Sequence, residues 1–381
     1  MINKYILSIN ALRARSGGAI SHLKGILSSD HFSEYFNEVH VWVSKEVVHL
    51  LPSHPSLIVH CPISTNNILF QLFWEYFVFN SRLASVDTDI LLNVDAGTVG
   101  FFSPSVTMSR DMLAFEDGEA SRYGFNYQRI RQFFLRFVQC RSLRNSNAAI
   151  FLTKYASNVI QNKCGPVSNF TIIPHGVSES FRLNVSTFDI CAMDRTIRLL
   201  YVSPIWLFKH QWHVIHAVKM LRDSGVNCEI TFIGGGDKVS LNKFNRAIRK
   251  YDLNGSFVKY LGHVAHSDLP SIMSEFDIFI FASSCENMPN SLIEAMAMGF
   301  PICCSNRGPM PEVISDAGLL FDPESPESLR DSLFSLIKSN KLRADLSAKS
   351  LERSKSFSWD KNASHLFSYL YSIRASLDKV E

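Results

Sequence analysis

The feature that most constrains this chain is an alternation that runs along it twice, in which short apolar runs rich in β-branched and aromatic residues are separated by stretches with helical spacing. In the second half IRLLYVS, CEITFIGG, FVKYLGHV, FDIFIFAS and PICCSN read as strands, and helical spacing fills residues 211–223, 238–251, 267–275 and 291–298. Strands that are apolar on both faces and alternate with helices require a parallel sheet covered on both sides. The first half repeats the pattern less cleanly, with YILSIN, VHVWVS, SLIVHC, DILLNV, AAIFLT and FTIIPH as strands and helices over residues 19–28, 68–83 and 127–144.

A chain of 381 residues exceeds the length that one core usually supports. The reading is therefore α/β, with two Rossmann-like doubly wound domains facing each other across a cleft. They cover residues 1–180 and 181–356, with the polar stretch 176–195 at the boundary, and a closing helix within 357–381 that begins near Phe357 and Trp359. Hydrophobic content of 46% and charged content of 19% exclude a disordered chain. A net charge of +3 is too small to imply nucleic acid as a partner. The eight cysteines form no CxxC and no metal-ligand spacing, so they read as buried thiols of a cytoplasmic protein. The opening MINKYILSINALRAR is broken by Asn10 and Arg13 and reads as a first strand, not a signal peptide. No stretch approaches the roughly 20 apolar residues of a membrane-spanning helix.

Open α/β sheets bind ligands beyond the carboxyl ends of their strands, where helix starts and Gly-rich turns present N–H groups to phosphate. Four such turns are visible: Ser16-Gly17-Gly18, residues 203–209 ending in Lys209, Gly234-Gly235-Gly236-Asp237, and residues 285–291. Each alone is weak, since a Gly pair after a strand is more often just a tight turn; together they line one cleft. The fourth carries the sharpest pattern. Glu286 and Glu294 stand eight apart, with Asn287, Met288, Pro289, Asn290 and Ser291 leading into a helix between them. Both carboxylates then face the space before that helix, one suited to sugar hydroxyls and the other to ribose hydroxyls. Glu294 has a second reading, as the distal member of a Ser291-x-x-Glu294 capping box.

The stretch FASSCENMPNSLIEAMAMGFPICCSNRGPMPEV resembles the signature of the retaining glycosyltransferases of family 4, which have the two-domain GT-B architecture. The likeness extends to Gly17-Gly18, Ile173-Pro174-His175-Gly176, Lys209, the turn at Gly234 and Gly235, Leu261-Gly262-His263-Val264, and the closing helix with Trp359, which looks like the family's segment that crosses back to the N-terminal domain. The resemblance implies that Glu286 contacts the donor sugar or reacting centre, Glu294 the ribose and Lys209 the diphosphate. Gly17 and Gly18 would approach the donor phosphates or the acceptor, and His263 lies where base and sugar are selected. Asp111 falls in the loop where the family places a catalytic Asp, although Arg110 replaces the usual preceding His. A second departure is Pro204, at the position of an Arg, which leaves phosphate charge to Lys209 and backbone dipoles. The implied activity is retaining transfer of a hexose from a nucleoside-diphosphate sugar to a hydroxyl of a glycan or lipid-linked glycan in cell-surface polysaccharide synthesis, with no cofactor and no metal. A GT-B-shaped sugar-nucleotide epimerase and a non-catalytic nucleotide-sugar binding protein are the alternatives.

Other signals are set aside. Asp87-Thr88-Asp89 precedes a strand and so lies at the wrong sheet edge for a metal-binding DxD. His210, His213 and His216 are spread around a helix and share no face for a metal. His175 reads as structural or as a site residue. The turn at Gly234 lacks the strict GxGxxG of a dinucleotide site. From Arg122 to Arg144 there are six Arg and no acidic residue, with Ile130, Phe133, Phe134 and Phe137 at helical spacing. That segment reads either as an amphipathic helix with its Phe face on the core, or as a basic helix on an anionic membrane surface, which would make the protein peripheral to the cytoplasmic face of a membrane.

Overall fold

The computed structural model describes residues 4–14, 17–62, 67–124, 127–184 and 195–379. The chain divides into two compact units: residues 1–120, 125–176 and 358–381 form the first, and residues 121–124 and 177–357 the second. Ser16, Cys191 and residues 185–194 of the boundary stretch lie outside the described residues.

Among the described residues the first unit is built on seven strands: β1 (Tyr5–Ala11), β2 (Phe36–Val43), β3 (Leu57–His60), β4 (Ile90–Asn93), β5 (Ser105–Met108), β6 (Ala148–Phe151) and β7 (Phe170–Ile172). They pair in the order β3-β2-β1-β4-β5-β6-β7, all parallel. Strands β4, β5 and β6 are buried along their whole length, and the largely apolar runs of β4 and β6 suit burial on both faces. Strand β5 is an addition to the sequence reading. Its four residues, SVTM, are too short and too polar to stand out, and the structure buries its Ser105 and Thr107 in the middle of the sheet. Ser105 N–H donates to Asn147 Oδ1 at 2.9 Å, and the Thr107 hydroxyl lies 2.5 Å from that of Ser146.

The turn Asp87-Thr88-Asp89 ties the start of β4 to β1, since Ile6 N–H donates to Asp89 Oδ2 at 2.7 Å. The helix expected over 68–83 is two, Ile68–Phe77 and Phe79–Ala84. Asn67 opens the first by accepting from the N–H groups of Leu69 and Phe70. Trp74 and Phe79 pack with Trp42 and Leu91 beneath them. The closing helix, Trp359–Leu377, packs within the first unit on the helix Gly18–Leu27. Trp359 lies so close to Gly25 and Gly176 that a Cβ at either would meet it at 2.2 or 2.1 Å.

Two expectations are corrected in this unit. Cys140 and Cys164, read as thiols, form a disulfide. They sit on two consecutive helices, Tyr127–Asn145 and Lys154–Cys164, whose packing brings their Cα atoms to 4.9 Å, inside the bonding range. Secondly, the Phe face of Tyr127–Asn145 does not pack on the core. The helix turns Gln132, Gln139, Ser142 and Leu143 inward, leaving Phe133, Phe134 and Phe137 exposed. Arg122 is not part of that helix; it belongs to the second unit and pairs with Glu324 at 2.8 Å.

Among the described residues the second unit has six parallel strands: β8 (Ile197–Val202), β9 (Cys228–Ile233), β10 (Val258–Tyr260), β11 (Ile278–Phe281), β12 (Ile302–Ser305) and β13 (Leu319–Phe321). Their order is β10-β9-β8-β11-β12-β13. Five match the sequence reading; β13 is a three-residue edge strand with no alternation long enough to announce it. The helices Gln211–Asp223 and Lys238–Tyr251 have the expected bounds, whereas 267–275 contracts to Leu269–Met273. The chain leaves β8 toward β9 and β10, then returns to the other side of β8 for β11. The order therefore reverses between β8 and β11, and their carboxyl ends open a crevice.

Backbone hydrogen bonds stitch the turns along this edge. Gly234 N–H donates to Gly262 O at 2.7 Å, and Ile205 N–H to Gly235 O at 2.6 Å. Gly234 has φ of 140°, and a Cβ there would lie 2.2 Å from Ser203 O, so no other residue fits. Gly234→Ala is expected to destabilise the fold by about 1–3 kcal/mol, read as a lower denaturant midpoint with an unchanged slope; an unchanged midpoint would refute this account of the turn.

Candidate functional site

The residues at the reversal point of the second sheet come from two turns. After β8 the chain forms a short 3-10 turn, Leu207–Lys209, and places His210 in a left-handed conformation (φ 52°) before the helix Gln211–Asp223 begins. After β11 it runs through Ser283 and Ser284 into the helix Asn290–Ala297. The two turns are joined where Ser284 N–H donates to Phe208 O at 2.8 Å and the Ser284 hydroxyl lies 2.9 Å from His210 Nε2.

Across this junction Lys209 Nζ forms an ion pair with Glu286 Oε1. Both side chains are largely buried, and the ammonium lies 5.1 Å from the centre of the Phe281 ring. Tyr201, buried at the end of β8, donates its hydroxyl to Lys209 O at 2.8 Å and fixes the backbone beneath the ammonium. The two residues assigned to diphosphate and to donor sugar are thus brought together.

Glu294 stands apart from that pair. The helix begins one residue before Ser291, with Pro289 at its N-cap position and no side-chain cap. Glu294 therefore lies more than a turn inside the helix and cannot reach back to its start, which removes the capping-box reading. Its carboxylate instead lies 2.8 Å from His266 Nε2. His266 belongs to the loop after β10, and its ring faces Phe181 at 5.3 Å. The sequence reading singled out the neighbouring His263, which the structure leaves exposed on that loop. Only the spacing His263-x-x-His266 hinted at the second histidine.

Met288 and Pro289 are buried, as is Asn287, while Asn290 and Ser291 are half-buried at the helix start. An uncapped helix start carries the positive end of the backbone dipole and suits an anion. Gly235 has open space where a Cβ would stand. Asp237 accepts from the N–H groups of Val239 and Ser240 and so caps the next helix. Its role is structural.

Gly17, Gly18 and Asp111 lie in the first unit. Gly17 has φ of 55° and opens the helix Gly18–Leu27 after β1. Asp111 accepts from Leu113 N–H at 3.0 Å and is also hydrogen-bonded to the Gln139 side chain. Burial raises its carboxyl above the usual range, an effect that Asp95 reinforces and Leu113 opposes. His175 is buried, with its ring 5.0 Å from that of His22 and 5.5 Å from that of Trp359. Among the described residues no group of three or more His, Cys, Asp or Glu could hold a metal ion. Of the spaced histidines, His213 Nδ1 lies 2.9 Å from Pro323 O and His216 stacks on Tyr251.

His210 gives the site a pH signature. Burial, with Arg122, His213 and Lys243 nearby, lowers its pKa from 6.5 to about 3. Its folded value is depressed, so its neutral form supports the fold above pH 6.5, and that support is lost as pH falls from 6.5 toward 3. His210→Gln is expected to flatten the decline of melting temperature over this acid range; an unchanged slope would show that other groups set it.

Residues 193–353 match the family described as glycosyl transferases group 1. O-antigen chain mannosyltransferase B of Escherichia coli is 33% identical over 104 residues, which make up 27% of this chain and 27% of that protein. An uncharacterized glycosyltransferase of Methanocaldococcus jannaschii is 23% identical over 253 residues, 66% of this chain and 63% of that one. The chain thus spans less than two thirds of the length of these relatives. Among solved structures, sucrose-phosphate synthase from Thermosynechococcus elongatus aligns with a TM-score of 0.75 at 15% identity, over 98% of this chain and 100% of that chain. Anabaena HepE in complex with UDP-glucose aligns with a TM-score of 0.73 at 16% identity, over 97% and 99%. At such identities the likeness is one of fold, and the fold is GT-B: two parallel-sheet α/β units. The family match falls on the unit that holds Lys209, Glu286 and Glu294, and that unit carries the domain of the glycosyl transferases group 1.

Proposed function

We propose that the protein transfers a hexose, with retention, from a nucleoside-diphosphate sugar to a hydroxyl of a glycan or lipid-linked glycan acceptor in cell-surface polysaccharide synthesis. The observation that carries this reading is the buried Lys209–Glu286 pair at the sheet's reversal point, beside an uncapped helix start. The donor class is supported by the fold likeness to HepE, which was solved with UDP-glucose.

Breaking the bond between the anomeric carbon and the diphosphate leaves the electron pair on the leaving oxygen and oxocarbenium character on the sugar. Lys209 and the N–H groups at the start of Asn290–Ala297 would hold the developing negative charge. The need falls on them because Pro204 occupies the position of a second cation. Retention follows if the acceptor hydroxyl attacks from the face the diphosphate leaves and gives its proton to the departing phosphate oxygen. No carboxylate nucleophile is then required, and no metal. Glu286 would meet the donor sugar, and Glu294, held by His266, the ribose. Gly17 and Gly18 offer backbone to the phosphates or the acceptor. Asp111, whose carboxyl burial raises above its usual range, would hydrogen-bond the acceptor hydroxyl and orient it.

Lys209→Ala and Glu286→Gln are each expected to lower turnover by about tenfold or more, measured as nucleoside-diphosphate release. Each leaves a buried partner unpaired, so melting curves accompany the assay, and the double variant Lys209→Met/Glu286→Gln is expected to recover stability but not turnover. UDP or GDP, or one of their sugars, is expected to raise the melting temperature of the intact protein. Near wild-type turnover in both single variants, or no stabilisation by any of these ligands, would sink the reading.

A further inference from the structure

Two helices of the first unit are built inside out. In Ile68–Phe77 the residues turned inward include Gln71 and Glu75. Gln71 Nε2 donates to Glu75 Oε1 at 3.2 Å, and Glu75 Oε2 accepts from Arg13 at 3.2 Å and from Val99 N–H at 3.3 Å. Those polar groups are fully partnered within the fold, so this orientation is fixed from inside. The outward face carries Ile68, Leu69, Phe70, Phe73, Tyr76 and Phe77, between 48% and 72% exposed. The exposed rings touch: Phe73 meets Phe77, and Tyr76 meets both Phe77 and Phe101, itself 56% exposed in the loop after β4.

The helix Tyr127–Asn145 repeats the inversion. Gln132 and Gln139 are buried, while Tyr127, Ile130, Phe133, Phe134 and Phe137 are between 59% and 74% exposed. At about 100° per residue these five form one stripe, with Arg131 on one flank and Arg129 and Arg136 on the other. The helix has five Arg and no acidic residue.

Topology places the two helices on one face of the sheet. The steps β1 to β2 to β3 run one way along it, and the steps β3 to β4 and β5 to β6 run the other. Right-handed crossovers then put Ile68–Phe77 and Tyr127–Asn145 in the same layer, opposite the helix Gly18–Leu27. An aromatic ring has about 150–250 Å² to bury, so the Ile68–Phe77 face with Phe101 alone exceeds the few hundred Å² of the largest apolar patch on a typical monomer.

We propose that this layer is a membrane seat, in which the aromatic faces of both helices enter the headgroup boundary of a bilayer and the arginines of Tyr127–Asn145 meet anionic lipid headgroups. Charge decides for this occupant. Two aromatic faces, that of Tyr127–Asn145 edged by Arg on a helix without carboxylates, match a surface that is apolar within and anionic at its rim. The seat rests on the first unit alone and does not depend on the transfer reading.

Co-sedimentation of the full chain with phosphatidylcholine vesicles, with and without phosphatidylglycerol, tests it at low and high salt. The expected result is binding that is about tenfold tighter with phosphatidylglycerol and weakened by salt. Phe70→Ser/Phe73→Ser/Phe77→Ser and, separately, Arg129→Gln/Arg136→Gln are each expected to weaken it by about tenfold with melting temperature unchanged. Absence of vesicle binding by the intact chain overturns the proposal. Binding undiminished in the triple Phe variant overturns it as well. So does a concentration-dependent dimer that the triple variant abolishes while vesicles go unbound, since the face would then belong to a second copy.

Discussion

The second unit is organised around the ion pair of Lys209 with Glu286, and that pair is an uneconomical way to hold a fold together. Two largely buried charges lose hydration that their attraction does not reliably restore, and apolar residues of the same size would often serve stability better. The surroundings are arranged to keep the pair in one geometry. Tyr201 fixes the backbone of Lys209, Ser284 ties the β11 turn to the β8 turn, and the Phe281 ring lies near the ammonium. On the proposed reading, an incoming diphosphate would compete with Glu286 for the same ammonium, and a sugar would offer Glu286 hydroxyls in exchange. A charge pair poised between each other and a ligand is most useful where the strand order reverses, because only there do two turns diverge enough to admit one.

The stitching of the neighbouring turns serves the same end. Gly234, pinned to Gly262 and pressed against Ser203, leaves the β9 turn no room for a side chain. The loop after β10 is therefore held by backbone. It delivers His266 to Glu294 across a distance that no local sequence spacing encodes. The carboxylate of Glu294 is oriented by a residue 28 positions away, so its direction belongs to the sheet and not to its own helix.

This explains how far the site was legible. Apolar runs announce a strand, and of the thirteen strands among the described residues eleven could be read that way; β5 could not, because Ser105 and Thr107 break its run, and the edge strand β13 was not singled out. The placement of Glu286, Lys209 and the turns of the second unit at the carboxyl ends of strands was legible because those turns follow apolar runs directly. The Ser291-x-x-Glu294 pattern misled because a cap depends on where the helix starts, and Pro289 moves that start by one residue. The Cys140–Cys164 disulfide was hidden for a related reason: it depends on how two helices pack side by side, which spacing along the chain does not report.

The two inverted helices show the same limit in its most consequential form. A 3.6-residue period states that a helix has an apolar face, and not that this face points inward. For Ile68–Phe77 the direction is decided by Glu75, which finds Arg13 and the backbone of Val99 inside the unit, and Gln71 follows it. Once those polar groups are satisfied within, the phenylalanines have nowhere to go but out. An exposed aromatic face is then the consequence of a satisfied buried carboxylate, not of poor packing, and the fold retains it at a cost in solubility that water alone gives no reason to bear. A surface that offers both apolar depth and negative charge supplies that reason.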